Sequence, residues 1–249
     1  MGLLFGFGLP PATAQTTTAS TPSADTRIFT FNRDGNEGAG PNLSVHHFDL
    51  TTTNDDDNVQ RTLLQCSLSA VPSGTTVQSA VLSLWTPGTF VQSSDHGHPT
   101  SLFRLTTPWT EIGATGNVAS LGSPWMQPGG DFVGTTGVYN TNPYAVNTDS
   151  VPEGALRRLQ WDVTPLASTW VTGSAPNYGL LLMADRGNTL HFFSKETSNS
   201  AYFPELAATY GSLSVVPEPG SLSLLLTGLV PIVFASRRPR PRGAESDTS

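Results

Sequence analysis

Glycine and proline interrupt this chain so regularly that its apolar residues fall into short runs, too brief for the long amphipathic helices of a bundle. There are 24 Gly and 20 Pro in 249 residues, and only 12% of side chains are charged, a composition that helical bundles rarely show. Thr, Ser and Val fill the runs between the breaks. Such a pattern predicts an all-β sandwich or barrel of one domain, long enough to bury a real core. Net charge is −7, and the single basic cluster lies at Arg237 to Arg242. An acidic chain of this kind has no surface for the phosphate backbone, so no nucleic-acid partner is expected. Cys66 stands alone, which rules out an intrachain disulfide and leaves stability to burial and any bound ions.

Read in order, the chain opens on an apolar stretch, Leu3 to Leu9, followed by the small-residue pattern Ala12-Thr13-Ala14. This is the end of a secretory signal lacking its basic start, or a plain apolar leader. Thr16 to Ala24 reads as a Thr/Ser linker, so residues 1–24 are set apart from the fold. Strands are expected at Thr26 to Phe31, Leu43 to Val45, the segment around Cys66, Val77 to Trp85, Ser101 to Leu105 and Leu159 to Val163. In the Cys66 strand, alternation places the thiol on one face with Leu64 and Leu68, as a small buried hydrophobe. Val77, Ser79, Val81, Ser83 and Trp85 are expected on one face of their strand, Ala80, Leu82 and Leu84 on the other. Thr164 and Pro165 read as the N-cap and first position of one short helix, with Leu166 and Trp170 on its buried face and Gly173 ending it. Tyr178 to Met183, Leu190 to Ser194 and Glu205 to Tyr210 supply the closing strands, and the domain is bounded at 25–211.

The remainder, 212–249, has a different character. Val216-Pro217-Glu218-Pro219 precedes an apolar run from Leu222 to Ala235 and then Arg237-Arg238-Pro239-Arg240-Pro241-Arg242. A rigid Pro-Glu-Pro, a segment poor in polar groups and a cationic stop suit a C-terminal hydrophobic membrane helix with its basic end cytoplasmic. This tail resembles the PEP-CTERM sorting signal of exopolysaccharide-producing Gram-negative bacteria. The resemblance implies an exosortase as partner, with Val216, Pro217, Glu218 and Pro219 at the recognition box and Arg237 and Arg238 as the stop. It also implies export, an inner-membrane anchor before processing, and a later place at the cell surface or in the extracellular matrix. Gly243 to Ser249 runs on beyond the arginines, which departs from the pattern.

A second resemblance spans roughly 25–210. Its residues are Asn36-Glu37-Gly38, Arg61-Thr62-Leu63-Leu64, Val71 to Leu82, Trp109-Thr110-Glu111, Asp162-Val163-Thr164 with Trp170, Asn177-Tyr178-Gly179, Phe193-Ser194-Lys195-Glu196 and Pro204-Glu205-Leu206. In this order they are similar to the DNRLRE domain, a relative of carbohydrate-binding modules. The resemblance implies a jelly-roll-like antiparallel β-sandwich. Cys66-Ser67 and a long insert after Trp109 depart from it.

The chain carries none of the usual catalytic constellations: no nucleophile elbow, phosphate-binding loop, zinc-protease motif or paired Cys-x-x-Cys. Glu111, Asp131, Glu153 and Glu196 supply carboxylates, but a glycosidase pair is defined by their separation, which sequence does not fix. The expectation is a protein that is not an enzyme, with Trp109 in the core and Glu111 paired to a strand or an arginine. His96 and His98 beside Asp95 share a face if extended, or belong to an exposed loop. Asn32, Asp34 and Asn36 alternate like calcium-loop ligands, yet Leu43 stands where a bidentate Glu belongs. Asp34, Asn36, Asp55 and Asp57 are the candidates for a structural calcium. Glycan recognition needs aromatic faces beside amides. Trp125, Tyr139 and Tyr144 with Asn140 and Asn142 meet that need within the Gly-rich insert, unless these aromatics pin the insert to the sandwich. The reading is an exported, non-catalytic envelope or matrix protein binding extracellular polysaccharide; the alternative is a purely structural or adhesive one, and the third reading a polysaccharide-cleaving enzyme.

Overall fold

A computed structural model of the chain describes residues 15–47, 59–87, 99–149, 151–152, 154–185 and 189–211. In chain order its strands are β1 (Gln15–Ser20), β2 (Pro22–Phe29), β3 (Asn42–His47), β4 (Val59–Cys66), β5 (Thr76–Trp85), β6 (Thr100–Leu105), β7 (Val118–Ser120), β8 (Ser123–Pro124), β9 (Phe132–Val133), β10 (Ala145–Asn147) and β11 (Arg158–Asp162). Helix α1 (Thr164–Val171) follows, then β12 (Leu180–Ala184), β13 (Thr189–Phe193) and β14 (Glu205–Gly211).

Two sheets form the layers. The smaller runs β1-β14-β5-β11, and the larger runs β10-β6-β12-β4-β3-β13, with β2 also on β4 and β9 also on β6. A short ribbon of β7 and β8 stands apart, and all these pairings are antiparallel. This is the expected β-sandwich with one short helix; among the described residues no sheet closes into a barrel.

The core follows from strand alternation. Leu82 and Leu84 of the smaller sheet bury against Leu64, Leu102, Leu180 and Leu182 of the larger one, with Cys66 among them. Trp161 on β11 meets Phe192 on β13 edge to face, 6.0 Å between ring centres, and so ties one layer to the other. Leu181 points the opposite way because successive side chains alternate. It pairs in register with Leu63 and Phe103, and the three belong to a second apolar cluster with Ile28 and Leu105. The larger sheet is therefore buried on both faces. The cover for its outer face comes from the segment between β6 and β10, through Ala114, Ala119, Trp125 and Phe132.

Three expectations are corrected. The Thr/Ser segment 16–24 is not a linker: β1 pairs with β14 from Gln15 opposite Gly211 to Ser20 opposite Leu206, and β2 begins at Pro22. Thr favours an extended, half-exposed edge, which a compositional reading mistakes for flexibility. Val77 does not share a face with Ser79. Ser79 lies opposite Thr209 and Val77 opposite Tyr210, so a bulge at Gln78 shifts the alternation and buries Val77 with Ala80 and Leu82. Thr164 is the first helical residue rather than the cap, and its backbone N–H is met by the Asp162 carboxylate at 2.9 Å. Leu166, Ala167 and Trp170 form the buried helix face as expected.

The signal remnant, the membrane helix expected over 222–235, and Val216, Pro217, Glu218, Pro219, Arg237 and Arg238 lie outside the described residues. Among the described residues no helix is long and apolar enough to cross a membrane.

Both layers of the core are open to test by urea denaturation. Trp161→Ala is expected to cost roughly 3–5 kcal/mol and Leu181→Ala roughly 2–5 kcal/mol. A surface-like cost for Leu181→Ala, below about 0.5 kcal/mol, would mean that the insert does not cover the outer face.

Candidate functional site

The insert is anchored to the outer face of the larger sheet. Trp125 is only 5% exposed, and its Nε1 donates to the Thr115 carbonyl at 2.8 Å. Its ring packs in the outer cluster, so it holds the insert down and offers no face for a sugar. Asp131 fixes the following turn by accepting from the Met126 and Gln127 backbone N–H groups at 3.1 and 2.8 Å and from Thr107 Oγ1 at 2.7 Å. At Gly134 a Cβ would lie 1.9 Å from the Thr141 carbonyl oxygen, so only glycine lets the two arms of this loop close. Asn140 and Asn142 take the turn at φ 50 and 48, a left-handed conformation that asparagine tolerates best among residues with a side chain.

The five residues expected to contact a glycan are therefore divided by the fold. Tyr144 packs half-buried against the inter-sheet core. Asn142 serves the turn, its carbonyl accepting from Thr135 N–H at 2.8 Å. Tyr139 and Asn140 remain at an open pocket of about 300 Å³. Tyr139 is 38% exposed, one side tilted onto Phe132 at 4.7 Å between ring centres. Phe132 in turn leans on Phe103 at 5.1 Å, which fixes the tyrosine to the sheet.

Thr30, Arg33, Arg61, Gln127 and Pro128 complete the pocket wall. Arg61 is held by Nη1 donating to the Gly129 carbonyl at 2.7 Å, with its guanidinium 5.2 Å from the Phe132 ring centre. Arg33 is exposed, its Nε donating to the Thr30 carbonyl at 2.7 Å. Neither arginine was singled out as a contact by sequence reasoning. A usable signal existed for Arg61, which shares strand parity with Leu63 and so emerges on the outer face beneath the insert.

A second constellation joins Asp25, Glu111, Lys195 and Glu196. The Lys195 ammonium reaches Glu111 Oε1 at 2.8 Å and also pairs with Glu196. Glu111 Oε1 accepts from the Asp25 backbone N–H at 2.9 Å, and Asp25 Oδ2 from the Lys195 backbone N–H at 2.9 Å. Glu111 thus bonds to strand β2 as expected, but its charged partner is a lysine rather than an arginine; the half-buried Trp109 indole packs on the outer cluster and donates to the Tyr178 carbonyl at 2.9 Å. Atoms of the three carboxylates lie within 4.8 Å of one another, close enough to share a cation. The lysine already supplies one. Burial works against the Lys195 charge, but hydrogen bonds to Glu111 and Glu196 outweigh it and hold the ammonium above its ordinary range. Asp25, 1% exposed, has the opposite problem: burial, reinforced by the Glu196 charge, pushes its carboxyl up to about 8.

The calcium candidates are occupied in other ways or lie elsewhere. Asp34 Oδ1 accepts from Asn117 Nδ2 at 2.8 Å, and Asn36 donates to the Glu111 and Ala114 carbonyls, both at 2.8 Å. Asp55, Asp57, Asp95, His96, His98 and Glu153 lie outside the described residues. Cys66 is fully buried, and burial pushes its thiol up to about 12, which leaves it a packing residue.

With this geometry in place, comparison with known families is decisive on one point. The model of the disaggregatase related repeat domain matches residues 41–208. The chain belongs to that family. The matched span starts one residue before β3 and ends within β14, so β1 and β2 precede it. Asp25 thus lies outside the matched span, while its partners Glu111, Lys195 and Glu196 lie within it. The family that matches is not the DNRLRE domain named from motifs, although the two spans overlap over most of the sandwich. No curated protein matches the chain.

The Asp25 carboxyl gives a signed prediction. Folding raises its pKa from 3.8 to about 8, so the native state holds a proton that the unfolded chain has already released. Stability is then greatest below the lower value and falls as pH rises through that window. Thermal melts of the wild type should show this decline, and Asn in place of Asp25 should flatten it while preserving the fold. An unchanged slope in Asp25→Asn would assign the pH dependence to other groups.

Proposed function

We propose that this chain is an exported, non-catalytic protein of the cell envelope or extracellular matrix that binds polysaccharide through the pocket beside Tyr139. The observation that carries the reading is a tyrosine on a fixed loop, one side packed and the rest exposed, next to Asn140 and Gln127 and to two arginines, Arg61 from β4 and Arg33 from the β2–β3 connection. An aromatic face packs on the C–H side of a sugar ring, while amides and guanidinium groups bond its hydroxyl or carboxylate oxygens. Membership in the disaggregatase related repeat family supports a carbohydrate-binding-like extracellular role, and the motif resemblance to the DNRLRE domain points the same way. The non-catalytic reading draws support from the carboxylates themselves: Asp131 holds a turn, and Glu111 and Glu196 are bound to Lys195. Export, a temporary inner-membrane anchor and exosortase processing rest on the tail from Val216 to Arg242.

Affinity electrophoresis of the full chain through gels containing single polysaccharides, the host's own exopolymer included, tests the binding. Retardation by at least one polymer is expected, weakened about fivefold to tenfold by Tyr139→Ala or Arg33→Ala. Unaltered mobility in every polymer, together with self-association, would replace this reading with a purely structural or adhesive one. Sorting has a separate readout. Mass spectrometry of the mature protein from its host should find the chain cut near Pro217 to Pro219; a soluble protein intact through Ser249 would refute exosortase processing.

A further inference from the structure

The first strand is held by main-chain bonds rather than by burial. β1 lies at the edge of the smaller sheet and pairs with β14 alone among the described residues, from Gln15 opposite Gly211 to Ser20 opposite Leu206. None of its side chains is buried, and none belongs to either apolar cluster. The Thr17 and Thr209 hydroxyls share a hydrogen bond at 2.9 Å, Gln15 donates to Gln78, and Ser20 Oγ donates to the Ser67 carbonyl at 2.9 Å. β14, in contrast, sends Leu206 and Ala208 into the core and pairs with β5 on its other side. Removing β1 would uncover a row of main-chain donors and acceptors on β14 without taking a side chain out of the core.

The connection to the next strand is a single residue. Ser20 ends β1 in the smaller sheet, Pro22 begins β2 in the larger one, and Thr21 alone passes between them. Proline fixes its own φ and confines the residue before it to extended conformations, so Thr21-Pro22 is a stiff hinge. Short hinges of this kind favour exchange of the element they carry between copies. β2 stays with its own sandwich, because Ile28 and Phe29 are buried and the strand pairs along β4 from Pro22 to Phe29. A second observation sets β1 apart. The family match over 41–208 takes in β5, β11 and the first part of β14, but not the strand that covers the β14 edge.

We propose that β1 is exchanged between two copies of this chain, each lending its strand to the β14 edge of the other. The pairs are the same within one copy and between two: Thr17 meets Thr209 and Ala19 meets Ala207 in either arrangement. Each copy fills the edge that the other has vacated, so the exchange closes on itself as a symmetric pair and leaves neither β14 edge bare. No residue of β1 or β14 lines the Tyr139 pocket. The pair therefore presents two such pockets, a bivalent arrangement for a repeating polymer.

Cysteine cross-linking of the full chain tests the exchange. Thr17→Cys and Thr209→Cys are placed in separate, differently tagged chains, which are mixed at about 0.2 mM, incubated and oxidised. The native Cys66 is buried and takes no part. Thr17→Cys mixed with Ser200→Cys, an exposed position outside the β1–β14 pairing, is the control for chance collision. Cysteines held in register react far faster than colliding ones, so the covalent heterodimer of the first pair is expected at least about tenfold above the control. A Gly-Ser-Gly-Ser insert after Ser20 lengthens the hinge and should lower that yield at least about threefold while leaving the melting temperature unchanged. A heterodimer no more abundant than the control would overturn the proposal, and so would a yield that the longer hinge leaves unaltered. Absence of polymer retardation beside a strong cross-link would remove the Tyr139 reading and leave strand exchange in place.

Discussion

Burial of the larger sheet on both faces is the constraint on which the rest depends. Leu180 and Leu182 face the smaller sheet, and Leu181 faces away with Leu63, Phe103 and Leu105. Hydrophobic burial is worth ~25 cal/mol per Å² removed from water, so an uncovered outer face of this composition would be a standing cost and a site for aggregation. Trp125 and Phe132 remove it from water. What looks like an excursion between two strands is thus a third layer of the domain, without regular structure over most of its length.

The pocket proposed for binding is positioned by that layer. Because Phe132 is pinned between Phe103 and Tyr139, the tyrosine sits on the sheet rather than on a free loop. Arg61 comes up from the sheet beneath, and Arg33 comes from the β2–β3 connection, which also packs on the insert. Gly116 marks that contact, since a Cβ there would lie 3.1 Å from the Arg33 Cα and 2.0 Å from the carbonyl oxygen of Phe29 at the end of β2. The partly buried network of Asp25, Glu111, Lys195 and Glu196 closes the same assembly from another side, joining β2, the start of the insert and the end of β13. Partly buried ion pairs of this kind are a weak source of stability, but their hydrogen bonds specify which strands meet.

Much of the sandwich was legible from alternation and turn residues. β4, β5, β6, β11, α1 and the last three strands fall close to where short apolar runs and Gly or Pro breaks place them. What escaped was set by contacts distant in sequence. β1 exists because β14 offers an edge to a Thr-rich segment, and the bulge at Gln78 is visible only in the register between β5 and β14. The candidate site shows the same division. Residue types for sugar contact were identifiable, but an indole that binds a sugar and one that anchors a loop are the same residue in a sequence. Leu180-Leu181-Leu182 held an unused clue: a run without alternation marks a strand buried on both faces, and so a cover that had to come from the insert.

Amide hydrogen exchange of the full chain, with and without the host's exopolymer, separates binding at the Tyr139 pocket from binding elsewhere. Slowed exchange is expected at the walls of that pocket alone, at Gln127 and from Val138 to Asn142, over a β-sandwich whose own exchange is unchanged. Slowing restricted to the outer face of the smaller sheet, or no difference anywhere at a saturating polymer concentration, would contradict it.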